Sequence, residues 1–282
     1  MDPIRRLHRP ELRSPRAIVA FEGWNDACEA ASGAAGYVAG QGSMEPFSLI
    51  EPEEFFDFRE ARPVVSVAEG GTRSLEWPFV RFYAVETGGA HDLVVVLGDE
   101  PHLRWKSFVR RVGQVLADAD VDLVVTLGSF IGQVAHSAPV PVFGIATDPA
   151  LLEPHGLEPS NYEGPSGIVG VLLEALRETG IPALSLWAAT PHYLAANSNP
   201  PAMLALLKAA APILDVPLDV AELETAAAEF VARVDEALED NDDLATYVQR
   251  LAAAGPGTQP LDPGESDLLI TEIEQFLRNR DR

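Results

Sequence analysis

The most constraining feature of this chain is a series of short apolar runs separated by longer amphipathic stretches. Ala17–Phe21 (AIVAF), Asp92–Leu97 (DLVVVL), Asp122–Leu127 (DLVVTL), Val142–Thr147 and Ala183–Ala188 are five or six residues long, and all but the last contain β-branched side chains. Runs of that length, nearly continuously apolar, suit strands covered on both faces of a sheet. Phe47–Ile50, Val64–Val67 and Phe79–Val85 read as further strands. Between the runs lie helical patterns at Asp26–Gln41, Trp105–Ala117, Ser166–Thr179 and Pro201–Ala211. In Ser166–Thr179, Ile168, Val169, Leu172, Leu173 and Leu176 recur on one helical face. Strands alternating with helices predict an α/β domain with a mostly parallel sheet. Its expected limits are residues 14–216, after an N-terminal arm of residues 1–13.

Beyond Pro217 the composition changes. Residues 220–254 are almost entirely helix formers, with an apolar stripe of Ala221, Leu223, Ala227, Phe230, Val234 and Leu238. Gly255–Gly264 breaks the pattern, and Ser266–Arg278 predicts a last amphipathic helix. Residues 217–282 therefore form an acidic C-terminal helical extension. The formal net charge of the chain is −23. Such a chain repels phosphate backbones, which argues against nucleic acid as a partner. No apolar run approaches the ~20 residues that span a bilayer, so no membrane partner is expected. The five arginines of residues 1–16 have no apolar stretch behind them, unlike a secretory signal. The single cysteine, Cys28, allows neither an intrachain disulfide nor a cysteine-based zinc site. A cytoplasmic setting is the expectation.

Ligands of open α/β sheets sit beyond the carboxyl ends of the strands, so the residues after each run carry the functional reading. Glu22–Ala27 offers Trp24 as a stacking face, and Asn25 or Asp26 as a helix cap or ligand group. Gly98–His102 brings Asp99, Glu100 and His102 together, without any HExxH or calcium-loop pattern. Ser129 follows the DLVVTL run, with His136 and Asp148 downstream, yet no Gly-x-Ser-x-Gly elbow is present. Neither a P-loop nor a Gly-x-Gly-x-x-Gly fingerprint occurs. Gly164 and Ser166 belong to a glycine cluster, residues 162–170, that reads as a helix N-terminus with anion-binding character or as close packing. His192 and Tyr193 end the last strand. Cys28, one turn into an alanine-rich helix, reads as a small buried hydrophobe; the alternative is a thiol whose pKa is lowered by the helix N-terminus. No metal site and no cofactor is expected.

Taken together, Phe21–Ala27 (FEGWNDA), Gly98–Trp105 (GDEPHLRW), Leu127–Thr147, Tyr162–Gly170 (YEGPSGIVG) and Ser185–Ala205 resemble the proteasome assembly chaperone 2-like family, in its actinobacterial branch. The resemblance runs from about Ala17 to the C-terminus. It implies a three-layer α/β/α sandwich like that of the nucleoside phosphorylases, without their chemistry, and helices at the C-terminus. It also implies a homo-oligomer, a trimer, with proteasome subunits as partners. Eukaryotic relatives help to assemble the α-ring of the 20S proteasome. The family supplies no catalytic residues to carry over. The chain departs from the pattern at Ser137-Ala138, where bacterial relatives usually have Thr-Arg, and at Cys28, where they often have Gly. It ends Asn279-Arg280-Asp281-Arg282, without the hydrophobic–Tyr–any tripeptide of some relatives, so docking through the tail is not expected.

Two functional readings follow. One is a non-enzymatic assembly or interaction protein. The other is a small-molecule binder, or a hydrolase- or phosphorylase-like enzyme, in which Trp24, Asn25, Asp26, Glu100, Ser129, His136, Gly164, Ser166 and His192 line a cleft at the strand ends. The second needs these side chains within hydrogen-bond reach of one another.

Overall fold

The computed structural model describes residues 2–67, 71–159, 162–194, 198–238 and 242–254. Its centre is a nine-stranded sheet in the order β1-β3-β6-β7-β2-β8-β11-β9-β10. The strands are β1 Ile4–Arg6, β2 Arg16–Glu22, β3 Ser48–Ile50, β6 Val80–Val85, β7 Leu93–Asp99, β8 Val124–Gly132, β9 Val142–Ala146, β10 Glu158–Pro159 and β11 Ala183–Pro191. A separate pair, β4 Val64–Val67 and β5 Arg73–Glu76, forms a two-stranded sheet. The apolar runs at 17–21, 92–97, 122–127 and 183–188 become the adjacent strands β2, β7, β8 and β11, all mutually parallel. Antiparallel strands β6, β3 and β1 extend one side, and β9 extends the other.

Alternation along the central strands explains why they read as continuously apolar. In β2, Ala17, Val19 and Phe21 enter a core shared with α2 (Trp105–Asp118) and α3 (Ile168–Thr179). Ile18 and Ala20 enter the opposite core, shared with α1 (Ala30–Ala39) and α4 (Pro200–Leu214). Both faces of each central strand are therefore covered by helices, which is the three-layer α/β/α arrangement. The last described helices, α5 (Ala221–Leu238) and α6 (Asp242–Ala254), build a third cluster with Ala135, Tyr193 and Leu194 near the carboxyl ends of β8 and β11. Leu223, Ala227, Phe230, Val234 and Leu238 of the anticipated stripe are buried, whereas Ala221 is exposed.

Several boundaries differ from the pattern reading, each for a tertiary reason. Ile4–Arg6 lies within the N-terminal segment read as an arm, yet it pairs with β3 as the margin of the sheet. The helix expected from Asp26 begins at Ala30, because Cys28 (φ 58°) and Glu29 (φ 51°) are left-handed. α3 starts at Ile168 rather than Ser166, with Gly167 at its N-cap, so Pro165 lies outside the helix. The expected helix Ser266–Arg278 lies outside the described residues. Among the described residues, no helix is long and apolar enough to cross a membrane.

Candidate functional site

The post-strand residues resolve into two networks. The first joins the carboxyl ends of β2, β7 and β8 to the start of α3. After β2 the chain turns at Gly23, whose φ of +129° strongly favours glycine. Trp24 is 61% exposed, whereas Asn25 beside it is buried. The Glu100 carboxylate, just beyond β7, takes three donors from two directions. Its Oε2 accepts the Trp24 N–H at 3.3 Å. Its Oε1 accepts Asn25 Nδ2 at 3.1 Å and the Ile168 N–H at 2.8 Å. Glu100 therefore occupies the position at the N-terminus of α3 where an anion would be favoured by the unpaired N–H groups and the helix dipole. Gly167 permits this closeness: a Cβ there would lie 2.1 Å from Asn25 Nδ2.

Asp26 caps α1 from four residues upstream. Its Oδ1 accepts the N–H groups of Ala31 at 2.8 Å and Ser32 at 3.1 Å, and its Oδ2 accepts the Ser32 hydroxyl. These bonds span Cys28 and Glu29, whose left-handed conformations each cost energy for residues with a Cβ. Ser129 of β8 completes the junction. Its N–H donates to Asn25 O at 2.8 Å, and its hydroxyl donates to Ala27 O at 2.9 Å. The serine hydroxyl is fully buried and faces a backbone carbonyl rather than a histidine.

Burial pushes the Asp26 carboxyl up from its ordinary value, against the opposing pull of the Ser32 and Ala31 hydrogen bonds. A carboxyl raised on folding adds stability below the ordinary carboxylate range, and that contribution is lost as pH rises through the raised value. Asp26→Asn keeps the acceptor oxygen and does not titrate. Its stability relative to wild type is therefore expected to improve as pH rises from the ordinary carboxylate range through the raised value. Urea midpoints at matched pH values check this, and a gap that is constant with pH would refute it.

The second network lies where α5 and α6 meet the core. His136 is buried, its Nδ1 2.8 Å from the Tyr193 hydroxyl and its Nε2 3.0 Å from Asp235 Oδ1 on α5. The His136 N–H also donates to the Tyr193 hydroxyl at 2.8 Å. Desolvation is the main cause that drives the Tyr193 phenol far above its usual range. His192 is likewise buried, with its Nε2 3.2 Å from the Tyr247 hydroxyl of α6. Burial lowers its pKa, favouring the neutral form of the ring. Val134, Ala135, His136, Pro191, Asn199 and Phe230 are among the residues lining a cavity of about 10 Å³ beside this network, room for no more than one water.

Trp24, Asn25, Asp26, Glu100 and Ser129 are thus brought together, while His136 and His192 belong to the second network. Gly164 and Ser166 are exposed on the loop before α3, where the Ser166 hydroxyl bonds to Gly167 O at 3.4 Å. Cys28 is buried, in keeping with its reading as a small buried residue; burial raises its thiol pKa, against the alternative of a helix N-terminus lowering it, and Sγ donates to Leu194 O at 3.6 Å. Sequence reasoning missed Asp235 and Tyr247. His136 and Asp235 are 99 residues apart, so no local motif could pair them. Among the described residues, no group of three or more His, Cys, Asp or Glu stands together to hold a metal ion. Chemically, the carboxylates of the first network hold backbone and amide donors, and the histidines of the second tie the C-terminal helices to the sheet.

Comparison with known proteins places this geometry in a family context. The PAC2 family profile matches residues 20–238. A PAC2 family protein from Streptomyces avermitilis is 40% identical and superposes with a TM-score of 0.76, over 83% of this chain and 99% of its own. A proteasome-assembly chaperone homologue from Mycobacterium tuberculosis is 38% identical with a TM-score of 0.76, over 82% of this chain and 99% of its own. An archaeal proteasome activator from Pyrococcus furiosus shares the fold at 18% identity and a TM-score of 0.64, over 84% of this chain and 99% of its own. No curated protein matches the chain in sequence.

Proposed function

The chain belongs to the PAC2 family, and from that premise we propose that it acts as a non-enzymatic assembly or interaction protein of the proteasome-assembly-chaperone kind. It works in the cytoplasm as a homo-oligomer, a trimer, whose partners are proteasome subunits. The observation that carries this reading is the 38% identity to a proteasome-assembly chaperone homologue over nearly that protein's whole length. The networks at the strand ends support it. Glu100, Asp26 and Ser129 each hold donors or acceptors of the protein itself, so the groups best suited to acid–base or nucleophilic work are engaged in positioning loops and helices. Their product is a rigid end to the sheet, a surface suited to recognition by shape.

The test is direct binding of the purified full-length chain to isolated 20S proteasome α-subunits, by biolayer interferometry at physiological salt. Saturable binding, competed by excess unlabelled chain, is the expected outcome. A folded, oligomeric chain that shows no binding to α-subunits would overturn the chaperone reading.

A further inference from the structure

Two buried histidines stand under the C-terminal helices, and each meets a different helix. His136, after β8, reaches Asp235 of α5 through Nε2 at 3.0 Å. His192, after β11, reaches the Tyr247 hydroxyl of α6 through Nε2 at 3.2 Å. The two contacts differ in what they offer a protonated ring. Among the described residues the imidazole–carboxylate pairs are His91 with Asp215 and His136 with Asp235. His192 has no carboxylate partner in that set and faces a neutral phenol instead.

The surroundings of His192 are aromatic and dry. It is 2% exposed. Its ring stands edge-on to those of Tyr193 at 5.2 Å and Tyr247 at 5.8 Å. The titratable groups of this junction are Tyr193 and His136 from the strand ends, Asp235 from α5 and Tyr247 from α6. Arg233 and Glu236 of α5, and Asp243 and Arg250 of α6, are exposed. Phenols stay neutral over the range in which an imidazole titrates. Charging His192 therefore sets a cation in a desolvated site without a counter-charge in contact. Burial accordingly lowers its pKa, while the Gly132 backbone pulls the other way.

His136 responds in the opposite sense. The Tyr193 oxygen already accepts the His136 backbone N–H at 2.8 Å. The phenol proton therefore goes to His136 Nδ1, which leaves Nε2–H to donate to Asp235. A proton added to this imidazole sets a cation 3.0 Å from the Asp235 carboxylate, and the bond to α5 strengthens. Apolar anchoring is unequal as well. α5 buries Leu223, Ala227, Phe230, Val234 and Leu238, whereas α6 buries Leu244 and Val248 among its described side chains. α5 is also tied to α4 by the Lys208–Glu224 ion pair at 2.7 Å.

We propose that α6 is an acid-released latch over the carboxyl ends of β8 and β11: a proton on His192 undocks α6, while His136 and Asp235 keep α5 in place. Release uncovers part of the cluster around Ala135, Tyr193 and Leu194, so the surface at this end of the sheet changes with pH. Above about pH 6.5, the ordinary imidazole value, the docked helix keeps its full stability. Below it the undocked state binds the proton better, and docking weakens as pH falls toward the lowered value. The proposal stands apart from the identity of any partner.

The test is hydrogen exchange of the full-length chain, read by mass spectrometry at about pH 7.5 and about pH 5.5, on either side of the imidazole range, and corrected for the intrinsic pH dependence of exchange. Between these values the opening of α6 is expected to rise severalfold, with a ceiling of about tenfold for one proton taken up near 6.5. Amides of α5 and of the central strands should keep their protection. His192→Gln keeps a polar side chain without a titrating ring, and should give α6 equal protection at both values. In Asp235→Asn, α5 should lose protection at the lower value together with α6, and an α5 that stays protected there would strike His136 and Asp235 from the latch. If His192→Gln does not dock α6 even at the higher value, the titration of the wild-type His192 ring by NMR decides: its midpoint must coincide with that of α6 release. A wild-type α6 equally protected at both values would overturn the proposal. So would an acid loss that persists in His192→Gln, or ring and helix midpoints that differ.

Discussion

Phe230→Ala is expected to lower the unfolding free energy by about 3–5 kcal/mol, the usual range for deleting a buried phenylalanine ring. Phe230 is 5% exposed and sits centrally in the cluster of Ala135, Tyr193, Leu194, Val234, Leu238, Leu244 and Val248. It also borders the small cavity beside His136. Losing the ring enlarges a void that the rigid β8 and β11 ends cannot close by collapse. The damage should be concentrated in α5 and α6, because this cluster and the His136–Asp235 and His192–Tyr247 contacts hold them to the strand ends. Hydrogen exchange should show amides of α5 and α6 losing protection first, with the central strands following only at global unfolding. Phe230→Leu, which keeps most of the volume, should cost much less. A Phe230→Ala variant within about 1 kcal/mol of wild type would mean that this cluster does not anchor the C-terminal helices.

Glu100→Ala should cost about 3 kcal/mol. The side chain is half-buried and takes donors from Trp24, Asn25 and Ile168. Its removal leaves the buried Asn25 amide and the first N–H of α3 without acceptors, and unmade bonds of this kind cost about 1–3 kcal/mol each. Partial solvent access to the vacated site keeps the total toward the lower end of that sum. For a chain of this size the loss corresponds to a fall in Tm of roughly 6–12 °C. Glu100→Gln preserves one acceptor oxygen but turns an amide donor toward a second donor, so about half the loss should remain. Calorimetry of the three proteins decides the matter. Equal melting temperatures for wild type and Glu100→Ala would show that water replaces the carboxylate without cost, and that α3 is positioned by packing alone.

The legible part of the fold was the part written in local chemistry. β2, β7, β8 and β11 could be read because a strand buried on both faces must be apolar at every position. α2 and α3 could be read because their buried residues recur at helical spacing. The Asp26 cap was legible in kind, since a carboxylate before an alanine-rich stretch suits a helix start. Its reach was not. The helix begins at Ala30 because Ser129, paired with Asp26 across the sheet, and Asn199, donating to Cys28 O, hold the intervening backbone out of helical conformation. β1 (IRR) and β5 (RSLE) were missed because each holds a single apolar residue, which leaves no strand pattern to read, unlike the equally short β3 and β4. The apolar character of Val64–Val67 identified a strand but not its separation from the central sheet, which depends on pairing with β5 rather than on composition.

The family resemblance, likewise, rested on five post-strand segments in order, and the matches to known structures supported it. What each of those segments does was decided in three dimensions. Glu100 reads in sequence as a cleft-lining carboxylate in the turn after a strand. Only the packing of β2, β7 and α3 around it makes it a clasp. His136 reads as a triad candidate, and only the return of α5 across the strand ends gives it Asp235 as a partner. By itself the sequence determined the alternation of strands and helices, the acidic charge and the family, because burial periodicity, net charge and motif order are properties of neighbours along the chain. The tertiary structure decided which polar groups meet and where. Those depend on hydrogen bonds and contacts between residues far apart in sequence, whose geometry no local pattern encodes.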